Sequence, residues 1–165
     1  MFKLFKHQEI GINFGLNHKN IIIADEMGLG KTAQSILISE KLNLENTLII
    51  CKNSAKKKWK NEVLLWTEKD CGFILEGTLE DKDKQLIDIL NSQDNSKKFV
   101  ITNYEHIRTC KTILDVDINC LIIDEAHKIK NRKSQIYKSI KRFCNATDKI
   151  ILVTGSPMAN RPEEI

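Results

Sequence analysis

"IIIADEMGLGKTAQSI", residues 21–36, runs from an apolar stretch (21–24) through a turn holding Gly28 and Gly30 into Lys31 and Thr32, which open a segment of helical spacing. Strand, glycine turn and helix in that order can cradle phosphate. Backbone N–H groups turn inward at the glycines, and the helix presents its positive N-terminal end. Lys31 is then placed to neutralise the β and γ phosphates of a nucleotide, and Thr32 to bind Mg²⁺ through its hydroxyl. Asp25 stands where the pattern G-x-x-x-x-G-K-[ST] has its first glycine, so an ordinary strand-turn-helix competes with this reading.

A second stretch decides between them. "CLIIDEAH", 120–127, leads four apolar residues into two adjacent carboxylates. A buried strand that ends in acid needs a cation or a polar partner there. Asp124 can hold Mg²⁺, usually through water, and Glu125 can orient or deprotonate an attacking water. A phosphate loop and an acidic strand end together point to a nucleoside triphosphatase site.

The rest of the chain fits one domain of that kind. It has 165 residues, 41% of them hydrophobic, which suffices for one core. Its apolar runs are too short for a membrane span, so we expect a soluble, intracellular protein with no membrane partner. Five cysteines, an odd number with no Cys-x-x-Cys pair, argue against a zinc site or a disulfide framework and for buried, reduced thiols. His7, His18 and His106 carry no assigned chemistry.

Apolar runs recur near 20–24, 47–51, 72–75, 98–102, 120–123 and 149–153, and they do not alternate with polar residues. Such runs suit strands covered on both faces. Between them Ala33, Ile36 and Leu37, then Trp59, Val63 and Trp66, then Ile136, Ile140 and Phe143, repeat at helical intervals. The expected fold is α/β, a parallel sheet between two helical layers. Thr78 with Asp81, and Ser134, read as helix N-caps. Gly11 and Gly15 each cost about 1 kcal/mol in a helix, which close packing against a neighbour would explain. The stretch 92–98 reads as a polar loop. At the other end "RPEEI", 161–165, reads as the first turn of a further helix, and hence the chain as a fragment of a longer one.

The net charge is +4, so the placement of charge matters more than its sum. "KKKWK", 56–60, is the clearest basic cluster, and by itself reads as a solvated helix face. Trp59 and Trp66 share a helical face with Val63, which favours core packing over base stacking.

Taken in order, these stretches resemble the Snf2-type (SWI2/SNF2) ATPases of helicase superfamily 2. "DEMGLGKT" (25–32), including its Asp, is similar to their motif I, "DEAHKIKN" (124–131) to motif II, and "LVTGSPMANRPEEI" (152–165) to motif III. "LFKHQEIGINF" (4–14) resembles the upstream adenine-reading segment, "LIICKNSAKKKWKNEV" (48–63) motif Ia and "VITNYEHIR" (100–108) motif Ib. Departures include Lys52, where motif Ia usually has Pro, and Ser156 in place of Thr. "NRPEEI" leans toward the annealing-helicase branch.

The resemblance implies a three-layer α/β/α RecA-like P-loop domain over residues 1–165, the N-terminal lobe of a pair. It implies ATP binding by Gln8, Met27, Gly28, Leu29, Gly30, Lys31 and Thr32, with Gln8 reading adenine. Catalysis would fall to Lys31, Asp124 and Glu125, with Mg²⁺ on Thr32 and Asp124. His127 would couple the acidic pair to Thr154 and Ser156. Backbone contacts to duplex DNA would come from Lys56, Lys57, Lys58, Lys60, Asn103, Tyr104, Lys130, Asn131 and Arg132. A second lobe would supply the arginine for the transition state, leaving this chain alone with little or no ATPase activity. Rival readings are a strand-separating helicase lobe and a non-catalytic nucleic-acid-binding module. The compartment would be the cytoplasm in a bacterium or virus and the nucleus in a eukaryote.

Overall fold

Each apolar run forms a strand in the computed structural model, which describes residues 3–92, 96–110 and 112–155, the side chains of 113 and 114 excepted. The strands are β1 (Asn20–Ile23), β2 (Asn46–Cys51), β3 (Gly72–Ile74), β4 (Lys98–Asn103), β5 (Ile118–Asp124) and β6 (Thr147–Val153). They form one sheet in the order β1-β6-β5-β2-β4-β3, and every described pairing is parallel. The helices are α1 (Lys6–Asn17), α2 (Lys31–Lys41), α3 (Lys56–Thr67), α4 (Leu79–Leu90), α5 (Tyr104–Thr109) and α6 (Gln135–Asn145).

Alternate residues of β5 divide between two cores. Cys120 and Ile122 belong with Ile12, Ile36, Ile38, Trp59 and Val63 of α1 to α3, whereas Leu121 and Ile123 belong with Leu86, Leu90, Ile107, Ile140 and Phe143 of α4 to α6. The result is the expected three-layer α/β/α arrangement. The central strands β2 and β4 are buried at every position, which is why their sequences do not alternate. The expectation of cover on both faces fails at the two edges, at β3, where Phe73 is exposed, and most plainly at β1. That strand is an edge with β6 as its neighbour, its burial alternates, and Ile22 is 62% exposed on the face turned away from α1 and α2.

Both N-caps form. The Asp81 N–H donates to Thr78 Oγ1 at 3.2 Å and the Thr78 N–H donates back to Asp81 Oδ2 at 2.9 Å, a reciprocal box. The Tyr137 N–H donates to Ser134 Oγ. All five thiols are unpaired, with Cys144 half-buried and the others buried. Burial pushes Cys120 up to about 12, so it stays a thiol and packs as a small apolar group. The expected polar loop at 92–98 ends earlier than its charge suggests. Lys98 already belongs to β4 and is buried, while 93–95 lie outside the described residues. The helical turn expected at 161–165 also lies outside them.

Both glycines of α1 are explained by contact with α2. A Cβ on Gly15 would lie 2.4 Å from Ile38 Cδ1 and 3.0 Å from Ile21 Cδ1. A Cβ on Gly11 would lie 2.0 Å from Gln34 Oε1. The C-terminal turn of α1 has no basic residue of its own, and Lys149 of β6 serves it from across the fold. Buried Lys149 donates through Nζ to the carbonyls of Gly15 and His18, placing a cation at the negative end of the helix. Burial lowers its pKa.

Gly15→Leu should therefore force α1 off α2 and cost about 1–3 kcal/mol in urea unfolding, the range for overpacking a tight interface. A midpoint unchanged from that of the parent would show that α1 does not need this contact.

Candidate functional site

Strand register builds the site. Val153 at the end of β6 pairs on one side with Ile23 of β1 and on the other with Asp124 of β5. The root of the glycine turn and the first carboxylate therefore stand level, two strand spacings or about 10 Å apart, at the carboxyl edge of the sheet. Between them opens a cavity of about 630 Å³ whose lining includes Gly28, Lys31, Thr32, Trp59, Asp124 and Glu125.

The turn is held from several directions. Gly28 and Gly30 have φ of 86° and 76°, the left-handed region that side chains resist, and Gly30 caps α2. A Cβ on Gly30 would also lie 2.1 Å from Gln8 Nε2. Lys31 Nζ donates to the carbonyls of Asp25 and Glu26, both at 2.7 Å, so the ammonium stays at the mouth of the turn and out of the core. Asp25, the residue that breaks the simple pattern, accepts from Gln34 Nε2 at 2.7 Å. Buried Gln8 donates to the Leu29 carbonyl at 3.2 Å and accepts from the Phe5 N–H at 3.0 Å. Both ends of its amide thus serve the protein. Met27 is 86% exposed at the tip.

The acidic end is equally fixed. Trp59 Nε1 donates to Asp124 Oδ2 at 3.0 Å, and buried Tyr104 donates its hydroxyl to the carbonyls of Asp124 and Glu125. Burial first, then the Asp124 charge, holds the Tyr104 hydroxyl protonated by raising its pKa. The same two causes push the neighbouring Cys51 thiol up to about 12. Glu125 sits at φ 56°, a left-handed conformation that costs a non-glycine residue about 1–3 kcal/mol. Its Oε1 lies 3.3 Å from Lys52 Nζ and its Oε2 lies 3.2 Å from His127 Nδ1. The histidine contact has the distance of an ion pair without the alignment of a hydrogen bond. Thr154 is buried and donates its N–H to the Ile23 carbonyl, which anchors the chain after β6 beside the turn. Ser156 lies outside the described residues.

The basic and polar residues assigned to a nucleic-acid face separate in space. Lys56 is buried, with Nζ donating to the Leu75 carbonyl at 2.9 Å and its pKa lowered first by burial and then by Lys82. It satisfies the fold rather than facing outward. Asn103 caps α5 by accepting from the His106 N–H, and the Tyr104 hydroxyl is committed to the acidic end. Lys60 lies 3.7 Å from Asp70. Lys57, Lys58, Lys130, Asn131 and Arg132 are exposed. Lys58 lines the central cavity, whereas Lys57 lines a separate groove of about 550 Å³ with Asn53 and Lys82. Neighbours on a helix point about 100° apart, so a run of lysines cannot form one face.

Sequence reasoning gave Trp59 to the core, and it is 2% exposed, but its indole N–H also serves the acidic pair. Gln34 and Gly155 were missed. A Cβ on Gly155 would lie 3.2 Å from Met27 Cγ and 3.8 Å from Lys31 Nζ, so a glycine there lets the segment after β6 approach the turn. Glycine after a strand in the company of Thr154 was the available signal.

A glycine turn entering a helix, level with an acidic strand end on a parallel sheet, defines a RecA-like domain of the P-loop class. The family model for the SNF2-related domain matches residues 7–165, and the chain belongs to that family. It is 33% identical over 173 residues to the CHD3-type chromatin-remodeling factor CHR7 of Arabidopsis thaliana, covering 98% of this chain and 14% of that protein. It is 32% identical over 180 residues to chromodomain-helicase-DNA-binding protein 7 of Homo sapiens, covering 99% of this chain and 6% of that protein. Its fold superposes on the Sulfolobus solfataricus SWI2/SNF2 ATPase core in complex with dsDNA with a TM-score of 0.81 at 26% identity, covering 99% of this chain and 34% of that one. The chain thus spans a small part of the length of these relatives. No described helix is long and apolar enough to cross a membrane.

Trp59→Phe keeps an aromatic ring in the core and removes the donor to Asp124. It should lower stability by about 1–3 kcal/mol, the scale of a hydrogen bond to a charged group, read as a shifted urea midpoint.

Proposed function

We propose that this chain is the ATP-binding half of an ATP-driven DNA translocase, the N-terminal of two RecA-like lobes. The observation that carries the reading is the shared pairing of Val153 with Ile23 and Asp124, which brings the phosphate-loop signature and the acidic pair to one cavity. The residues suit the ligand. Two positive-φ glycines expose backbone N–H groups, one lysine stands at the mouth, and two carboxylates face it across a space large enough for a nucleotide.

In this reading the Lys31 ammonium exchanges the carbonyls of Asp25 and Glu26 for phosphate oxygens. Thr32 and Asp124 would hold Mg²⁺, which supplies charge neutralisation at the phosphates when bound. Trp59 fixes the plane of the Asp124 carboxylate. Glu125, presented by its left-handed backbone, orients the attacking water and accepts its proton. The arginine that stabilises the transferring phosphate comes from the second lobe, and such a residue is worth about 10³ to 10⁵ in rate. Gln8 braces the loop through one N–H and one lone pair of its amide, and the second of each remains to read adenine.

Nucleic acid, in the same reading, meets the exposed Lys57, Lys130, Asn131 and Arg132 through phosphates, without sequence preference. The human relative carries DNA binding in its name and the Sulfolobus core is seen on duplex DNA, which supports the choice of partner.

Lys31→Ala should weaken binding of a fluorescent ATP analogue at least tenfold with the fold intact by circular dichroism; equal affinity would overturn the assignment. In the complete protein, Glu125→Gln should retain ATP binding and lose DNA-stimulated hydrolysis, whereas unchanged hydrolysis would remove Glu125 from the chemistry. Lys57→Ala should reduce the salt dependence of duplex binding by about one phosphate contact. Stimulation by single strands in preference to duplex would favour a strand-separating helicase.

A further inference from the structure

Cys110 caps the C-terminus of α5 four residues after His106, with its N–H donating to the His106 carbonyl, so the two residues lie one turn apart. Asp83 of α4 meets them. His106 Nε2 lies 2.8 Å from Asp83 Oδ1, and the three candidate ligand atoms all lie within 4.8 Å of one another. His106 is wholly buried and Cys110 is 4% exposed, whereas the Asp83 side chain is 23% exposed and opens the cluster to solvent. None of the three lines the nucleotide cavity.

We propose that Asp83, His106 and Cys110 form a binding site for a thiophilic divalent cation, Zn²⁺ being the class that a thiolate, an imidazole and a carboxylate select together. Tetrahedral zinc with these ligands sets neighbouring ligand atoms about 3.3–3.7 Å apart. Reaching that geometry closes the widest separation by at most about 1.5 Å and opens the His106–Asp83 contact by about 0.5–1 Å, movements on the scale of side-chain rotation. Water takes the fourth position from the Asp83 side.

The surroundings suit coordination. Thr102 Oγ1 lies 2.8 Å from His106 Nδ1 and can accept its proton-bearing N–H, the outer-shell bond that orients a metal-bound imidazole. On binding, the neutral imidazole takes the tautomer with its single proton on Nδ1, donated to Thr102, which leaves the Nε2 lone pair for the ion, while the Cys110 thiol gives its proton to solvent. One dication with one thiolate and one carboxylate is neutral, which a buried site tolerates. Burial, opposed by Asp83 and aided by Lys82 and Lys56, lowers the His106 pKa and keeps the ring neutral, whereas burial pushes the Cys110 thiol up to about 11, so the ion itself has to displace that proton. The ion would clip α4 to α5, whose first residue, Tyr104, holds the carbonyls of Asp124 and Glu125. The nucleotide reading is not needed for this site to exist.

Cobalt titration of the full chain tests it. One Co²⁺ per chain should bind with intense visible absorption of tetrahedral cobalt and a sulfur-to-metal charge-transfer band, be displaced by Zn²⁺, and resist excess Mg²⁺. Cys110→Ser should abolish the band, Asp83→Asn should weaken binding at least tenfold, and Cys144→Ser should change nothing. Absence of the charge-transfer band in the parent, or its survival in Cys110→Ser, would overturn the proposal. Because Cys110→Ser can fail to fold, X-ray absorption of the zinc-loaded parent is the second measurement: one sulfur neighbour beside nitrogen and oxygen supports the site, and none overturns it.

Discussion

The constraint on which the rest depends is the insertion of β6 between β1 and β5. Sequence order would leave the glycine turn at residue 28 and the carboxylate at 124 almost a hundred residues apart. Ladder hydrogen bonding removes that distance, because Val153 is shared by both neighbours. Neither acidic residue has to search for the loop. The three strands must end level, and a slip of one residue would turn Asp124 into the α4–α6 layer, since side chains alternate between faces.

Around that edge, the carboxylates and the strained Glu125 backbone are met by polar neighbours. Asp124 meets an indole N–H, its carbonyl meets a phenol, and the strained Glu125 meets an ammonium and an imidazole. Burying Trp59 and Tyr104 among aliphatic side chains is favourable through their apolar area, and their polar tips end at the carboxylate edge. Core and site are built from the same two residues. Substitution at either should be felt in both stability and local geometry, unlike change at the exposed lysines.

The sequence was most readable where one physical rule acts alone. Six apolar runs gave six strands because central parallel strands are buried on both faces, and two caps were visible because the Thr78 and Ser134 hydroxyls act within their own turn. It was least readable where side chains reach between elements. Nothing local marks Lys56 as the inward member of "KKKWK", since a lysine that satisfies a carbonyl looks like one that meets solvent. Gln34 appears as an ordinary helix residue until Gly11 makes room for it and Asp25 accepts from it. His106 and Cys110 showed helical spacing, but Asp83, more than twenty residues upstream, could join them only through the packing of α4 on α5. The β1 edge was misjudged for a related reason: isoleucine content reports hydrophobicity, and strand order decides cover.

The first helix gains a significance that its position at the beginning of the chain conceals. Through Gln8 and His7 it grips the Leu29 carbonyl, through Gly11 it admits Gln34, and its last turn is pinned by Lys149. A domain trimmed to begin at β1 would preserve its sheet on paper while stripping the phosphate loop of its outer wall. Expression boundaries drawn from the Lys31 and Asp124 signatures alone would accordingly yield a weak receptor from an otherwise sound scaffold.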